Sequence, residues 1–413
     1  MKILLVNGRG YPEYGCENYF SSLHRLLELK GHKVILFTAK DRRNTDREYS
    51  AYCVDKLNLE ELDSVPWIRK LLAAPGAIYS FASQRKIARL IKDTRPDIAH
   101  LHNIKRSISP SILGPLRKSG IPVVQTLHDY RLICPNYRLF VNDNLCEECK
   151  NKRYYRAVLK RCVRNSFPLS LLACLEQYIH HRLGFEKRVD VFISPANFLK
   201  QKMQEFGFNP GKLICLPNFV FAGDYQPDHP SQGYIVCFGR LVQEKGIATV
   251  IEAMRGFPAV KLLILGDGEY RKKLESIAAA GNMRNVEFRG FLTQKEIRPI
   301  IEKAMFTIVA SRWYEVCPMV ILESFAMGKP VIGAKIGGIT ELIADGVNGF
   351  LFSPGNSLEL SQKIGQLLRE PGKIAQMGQA ARRKAVEEYG ADLHYQRLLN
   401  IYESLLPKED LWK

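Results

Sequence analysis

The sequence predicts an α/β protein made of two parallel-sheet halves. Three observations carry this. Short apolar runs recur along the chain, and most lead through a loop into a helical pattern, as in a parallel sheet wrapped by helices. The pattern lapses at 218–232, where Pro, Gly and Asp cluster as in a linker. It restarts with a buried run at 234–238. A length of 413 residues suits two or three domains, and 46% hydrophobic content suits full-sized cores.

The first half opens with a strand at 2–7, a loop at 8–12, an amphipathic helix at 17–29 and a strand at 33–38, a βαβ unit. Gly15 stands just before the helix, where a missing Cβ lets a phosphate approach backbone. Residues 67–92 mix apolar and basic groups with no acid and are split by Pro75-Gly76. They read either as a surface for an anionic bilayer or as two ordinary packing helices. The strand at 97–102 turns His100 and His102 to one face; they read as structural histidines, with a metal pair as the alternative. The strand at 121–127 delivers His128 at its C-terminal end, where open α/β sheets bind ligands. Residues 151–164 are strongly basic, with Tyr154 and Tyr155 interleaved, and suit phosphate or lipid headgroups. A strand at 189–194 and a helix at 196–206 close this half.

In the second half, Arg240 and Lys245 lie between the strand 234–238 and a helix from Ile247. Two fixed cations there would cradle a diphosphate and neutralise it as it leaves. The strand 260–265 ends in Gly266-Asp267-Gly268-Glu269, and 286–288 leads into Arg289-Gly290-Phe291. After the strand at 304–310 a loop carries Glu315, and Pro318 suits the first turn of a helix that contains Glu323 and stops at Gly328. A helix N-terminus attracts phosphate, and carboxylates beside it can accept from sugar hydroxyls. A strand at 331–334, the Gly337-Gly338 loop and helices at 340–344, 357–368, 374–388 and 393–406 follow.

These motifs resemble those of the retaining glycosyltransferases of family 4, which have the GT-B fold. Glu315 and Glu323, with seven residues between them, match that family's paired glutamates; Gly328-Lys329-Pro330-Val331 and Gly337-Gly338-Ile339-Thr340-Glu341 match two further signatures. The resemblance implies two Rossmann-like α/β/α domains facing each other across a cleft. These are 1–217 for the acceptor and 233–388 for the nucleotide sugar, with a linker at 218–232 and a helix in 389–413 crossing back to the first domain. It implies that Glu315 meets the donor sugar, Glu323 holds the ribose and Arg240 with Lys245 holds the diphosphate. It also implies that the base rests near Gly266, Arg289 and Phe291, and that His128 reaches the reacting sugar from the other domain. The family often has Phe-Gly after the first glutamate. Here Cys317-Pro318 stands in that region, so backbone donors would come from Cys317, Met319 or Val320. Gly15 keeps the place of the family's first glycine-rich loop, whose other glycine is replaced. The stretch 129–136 resembles a subgroup that also carries a cysteine cluster.

The function implied is transfer of a sugar from a nucleotide-diphosphate sugar to a glycan or lipid-linked acceptor in cell-surface polysaccharide synthesis. A nucleotide-sugar epimerase of the same fold and a non-catalytic membrane-associated binding protein are the alternatives. No Asp-x-Asp metal motif stands where it would serve the donor, so catalysis is expected to need no cofactor. The net charge of +18 is uneven: residues 1–220 hold 36 Lys and Arg against 20 Asp and Glu. That imbalance suits an anionic membrane surface. No nucleic-acid module is visible. Ten cysteines without a signal peptide or an apolar span predict a cytoplasmic protein, peripheral at the inner face of the membrane. Cys134, Cys146, Cys149 and Cys162 cluster around a C-x-x-C, which predicts a structural zinc site, with plain thiols the alternative.

Overall fold

A computed structural model describes the chain apart from residues 14, 45–47, 56–75, 77, 105–107, 228–230 and 408–413. Of the basic stretch at 67–92, residues 67–75 and 77 therefore lie outside the described residues, while Phe81–Thr94 is a helix capped by Ser80. The first half is built on β1 (Lys2–Asn7), β2 (Lys33–Thr38), β3 (Ile98–Leu101), β4 (Val123–Thr126), β7 (Val191–Ser194) and β8 (Leu213–Cys215). All run parallel, in the order β2-β1-β3-β4-β7-β8. Between β4 and β7 a hairpin of β5 (Phe140–Val141) and β6 (Asn144–Leu145) stands apart from the sheet. Its turn residues Asn142 and Asp143 both have positive φ, as a tight hairpin requires.

The second half repeats the architecture with β9 (Tyr234–Phe238), β10 (Lys261–Leu265), β11 (Val286–Gly290), β12 (Thr307–Val309), β13 (Val331–Ala334) and β14 (Gly349–Phe352). The order is β11-β10-β9-β12-β13-β14, again all parallel. The protein is thus an α/β molecule of two Rossmann-like domains, as the sequence predicts. Strand direction of travel reverses between β1 and β3 and between β9 and β12. In such sheets the ligand crevice opens at the carboxyl ends of the strands flanking the reversal. At β9 and β12 the strands share a single register pair, Val236 with Thr307, so the loops after them can part.

These strands are legible because a parallel strand is buried on both faces and reads as an unbroken apolar run. Ile3 to Val6 and Ile235 to Val236 are wholly buried. Some elements escape that reading. β8 and β14 are three and four residues long. The helix Phe167–Arg182 turns its large apolar side chains outward and buries Ser170 and Cys174. The helix Gln294–Glu302 has a capping box, Thr293 with Glu296, and yet went unread. Pro318 sits one place outside its helix, as the cap of Met319–Ala326, with φ −69° and ψ 115°.

The last helix among the described residues is Ala391–Glu403. It packs against the first half: His394 Nε2 is 3.1 Å from Tyr19 Oη, and Tyr402 Oη is 2.7 Å from His100 Nδ1. Lys30 and Asp392 pair at 2.7 Å on the rim of that contact.

Candidate active site

The loop after β12 carries Glu315, and three donors converge on one of its oxygens. Oε1 accepts from Lys245 Nζ at 2.6 Å, Ser311 Oγ at 2.5 Å and Trp313 Nε1 at 2.8 Å. Burial pushes this carboxyl up, but the Lys245 charge and the three hydrogen bonds outweigh it and hold it below the ordinary carboxylate range. Glu315 is therefore a fixed anion with its second oxygen left for another partner. The loop keeps its shape because Gly338 lies against it. A Cβ on Gly338 would stand 1.7 Å from the Val316 carbonyl, and its N–H donates to Glu315 O at 2.7 Å.

Lys245 comes from the other side of the reversal point, in the turn between β9 and the helix Ile247–Ala253. Arg240, half-buried, lies in the same turn. Gly266 ends β10 in close contact with this turn. A Cβ there would meet the Gly239 carbonyl at 1.9 Å, so its first duty is to let two strand ends touch. Arg289 is exposed and pairs with Glu287 at 2.9 Å; Phe291 beyond it is 58% exposed.

Two helix N-termini meet nearby. Gly15 begins the helix Gly15–Leu29, and a Cβ built on it would lie 3.7 Å from Met319 Cγ, at the start of Met319–Ala326. The first N–H groups of a helix lack partners within it and carry partial positive charge. Those of Met319 and Val320 lie in that first turn, whereas the Cys317 carbonyl accepts from Asn218 Nδ2 at 3.1 Å. Glu323, one helix turn further on, is buried, and burial pushes it up to about 7. A hydrogen bond from Gln294 Nε2 at 3.2 Å offsets that only in part.

On the first half, His128 follows β4. Its Nε2 is 2.9 Å from Nδ1 of His102, and the two rings stack at 5.2 Å. His102 stacks in turn on His100 at 4.4 Å. Burial holds His102 well below its ordinary range and lowers His100 to about 3, so both are neutral. Beside His128 opens a cavity of about 80 Å³, bounded by Asp129, Arg131 and the inner face of Phe167–Arg182. The site thus sets an anchored carboxylate, two cations and the N-terminus of Met319–Ala326 on one side of a cleft, and the N-terminus of Gly15–Leu29 and a histidine stack with a cavity on the other.

A model of Glycosyltransferase Family 4 matches residues 14–221, and one of Glycosyl transferases group 1 matches residues 226–384. The chain belongs to glycosyltransferase family 4. It is 27% identical over 362 residues to an uncharacterized 42.6 kDa protein in the cps region of Klebsiella pneumoniae, covering 83% of this chain and 87% of that one. It is 29% identical over 225 residues to the lipopolysaccharide core biosynthesis glycosyltransferase LpsE of Rhizobium meliloti, covering 50% and 65%. Among solved structures, sucrose-phosphate synthase from Thermosynechococcus elongatus superposes with a TM-score of 0.73 at 19% identity, covering 98% of each chain. Anabaena Alr3699/HepE in complex with UDP-glucose superposes with a TM-score of 0.69 at 19% identity, covering 98% and 100%. These neighbours share the GT-B fold.

Several contacts in this glycosyltransferase had no signal in the sequence. Glu341 of the second half caps the helix Asn197–Glu205 of the first, accepting from Asn197 N at 2.8 Å and Phe198 N at 2.6 Å. Arg138 reaches across to the buried Glu244 at 3.2 Å. Asp143, at the tip of the β5–β6 hairpin, accepts from Gln243 Nε2 at 2.7 Å and Arg312 Nη1 at 3.3 Å. The Tyr130 hydroxyl is buried without a hydrogen-bond partner.

The zinc expectation finds no support among the described residues. Cys134, Cys146, Cys149 and Cys162 do gather, and all ten cysteines are free thiols. Yet among the described residues no three His, Cys, Asp or Glu side chains are arranged to hold a metal ion. Cys134 Sγ is turned to Asn136 Oδ1 at 2.9 Å. Burial raises the Cys149 thiol and lifts Cys162 to about 12, and the neighbouring cysteines push both in the same direction.

Proposed function

We propose that this protein is a retaining transferase that moves a sugar from a nucleoside-diphosphate sugar to a glycan or lipid-linked acceptor in cell-surface polysaccharide synthesis, at the inner face of the membrane. The observation that carries the reading is the Glu315–Lys245 contact at the mouth of the β9/β12 crevice. It holds a carboxylate and an ammonium where donor sugar and diphosphate would meet. Glu323 would accept from the ribose hydroxyls, and Phe291 offers an exposed face to the base. Arg240, Lys245 and the N–H groups of Met319 and Val320 would surround the diphosphate. The relatives fit this reading: one is named for lipopolysaccharide core synthesis, and one neighbour holds UDP-glucose.

In the reaction the bond from the anomeric carbon to the diphosphate oxygen breaks, and its electron pair goes to that oxygen. The cations and helix ends stabilise the charge that develops there. The acceptor hydroxyl oxygen attacks the anomeric carbon from the same face, and its proton passes to the departing phosphate oxygen. His128 would hold the sugar from the opposite side of the cleft, beside the cavity that receives the acceptor. An epimerase would have no use for that cavity. Among the described residues no helix is long and apolar enough to cross a membrane, so attachment would be at the surface. A melting screen against nucleoside diphosphates and their sugars tests the donor site, because a ligand raises apparent stability by mass action. Release of nucleoside diphosphate only when an acceptor is added would support transfer; a new nucleotide sugar formed without one would establish epimerisation instead.

A further inference from the structure

The first half carries an apolar surface that the proposed chemistry does not use. Eight of the sixteen exposed large hydrophobic side chains among the described residues fall between 155 and 183. Six of them, Phe167, Leu171, Leu175, Tyr178, Ile179 and Leu183, recur at intervals of one, three or four along Phe167–Arg182 and its end, and so form one stripe. Tyr155 and Leu159 extend it from the short helix that packs alongside, Leu159 being 70% exposed. A stripe of this kind on a single chain marks an interaction surface.

The charge around it identifies the partner. Residues 151–188 hold nine Lys and Arg, and the only acids are Glu176 and Glu186. Both acids are engaged elsewhere: Glu176 lines the cavity beside His128, and Glu186 pairs with His181 at 3.0 Å. Lys152, Arg153, Arg156, Arg161 and Arg182 are exposed. Two copies of this chain meeting face to face would bring like charges together, which is costly. An anionic bilayer meets both demands at once, taking the stripe into its interface and the cations at its headgroups. The helix has 16 residues, about 24 Å at the usual rise, too short to span but suited to lying flat.

We propose that residues 155–183 are the surface by which this transferase sits on an anionic bilayer, with Phe167–Arg182 in the interface. The opposite face of the same helix lines the cavity beside His128, through Gln177, His180 and His181. One helix therefore separates the membrane from the acceptor cavity, and an acceptor anchored in lipid needs to round only its edge. This deepens the reading of the acceptor given above and rests on it for the role of the cavity, but docking itself does not.

Flotation of the purified full-length protein with vesicles tests the proposal without donor or turnover. Wild-type protein should float with equal parts phosphatidylcholine and phosphatidylglycerol, and high salt should weaken this. Leu171→Glu/Leu175→Glu should lower the bound fraction about tenfold while melting as wild type does. Arg153→Glu/Arg156→Glu, outside the stripe, should remove the preference for anionic over pure phosphatidylcholine vesicles. The proposal is overturned if wild type does not float, or if both variants float as well as wild type. It is also overturned if wild type is a dimer that Leu171→Glu/Leu175→Glu splits, since a second copy would then cover the stripe. Protein that floats but transfers no sugar would refute the transferase reading alone, and protein that transfers but stays unbound would refute docking alone.

Discussion

Lys245 Nζ stands 2.6 Å from Glu315 Oε1, joining the loop after β9 to the loop after β12. These strands flank the reversal point and share one register pair, so the ion pair ties the crevice where the sheet ties it least. Glu315 is nearly buried and Lys245 is a quarter exposed, so the pair is a buried anion with a cation reaching in from the cleft.

Lys245→Ala and Arg240→Ala should therefore separate. On the proposed reading each would remove a cation from the departing diphosphate and should slow turnover about a hundredfold, on the order of 3 kcal/mol in the barrier. Lys245→Ala also strands a buried carboxylate, so stability should fall by about 3 kcal/mol. Arg240→Ala, at a half-buried position in the same turn, should cost less stability than Lys245→Ala. Urea unfolding beside steady-state rates checks this; near-normal turnover in both variants would put the diphosphate elsewhere.

The Glu323 carboxyl gives the free enzyme a pH signature. Its native value of about 7 lies above the ordinary 4.5. The stability it contributes is thus complete below the ordinary value and is lost as pH rises through about 7. Melting temperature should fall over that window and should flatten in Glu323→Gln. Ribose hydroxyls favour the ionised form, so nucleoside diphosphate should bind about tenfold more weakly at about pH 6 than at about pH 8. Titration calorimetry at both pH values reads this, and the slope should vanish in Glu323→Gln.

His128→Ala should slow transfer about ten- to a hundredfold, since the sugar loses its contact across the cleft. The melting shift produced by nucleoside diphosphate alone should be unchanged. His102→Phe should reproduce part of the rate loss, because His102 Nδ1 is the partner that fixes the His128 ring. A lost melting shift in His128→Ala would move this histidine from the sugar to the nucleotide.

Glu341→Ala removes the cap that the second half supplies to a helix of the first. The cost should be about 1 kcal/mol, as for other lost caps. The larger effect should be on shape, with small-angle scattering showing a greater radius of gyration without ligand. An unchanged radius would mean that the remaining contacts, such as Arg138 with Glu244, suffice to hold the halves together.

What could be read from the sequence follows a physical division. Parallel strands announce themselves as apolar runs, so the two sheets and the loops at their C-terminal ends were legible. Lys245 and Glu315 could each be singled out, but not their contact, because 70 residues separate them. Ser311 and Trp313, which also donate to Glu315, looked like ordinary loop residues. The cysteine spacing suggests a metal, whereas the structure buries Cys134 and Cys149, leaves Cys146 and Cys162 half-buried and turns Cys134 toward Asn136. The helix Phe167–Arg182 is not legible because its large apolar side chains face outward while its buried residues are Ser170 and Cys174, the reverse of the pattern that marks an ordinary surface helix.

The final helix has a bearing on how the molecule is made. His394 and Tyr402 complete hydrogen bonds to Tyr19 and His100, side chains in the core of the first half. Domains tend to fold as they leave the ribosome, N-terminal first. Here the first half emerges with Tyr19 and His100 lacking those partners, and it waits for the whole second half to be translated before they arrive. The interval is about 300 residues for the His100–Tyr402 bond, or some 15–60 seconds at ordinary synthesis rates. Through that interval the nascent chain holds an unclosed seam, which makes the helix Ala391–Glu403 a late-acting seal on the first domain to be born.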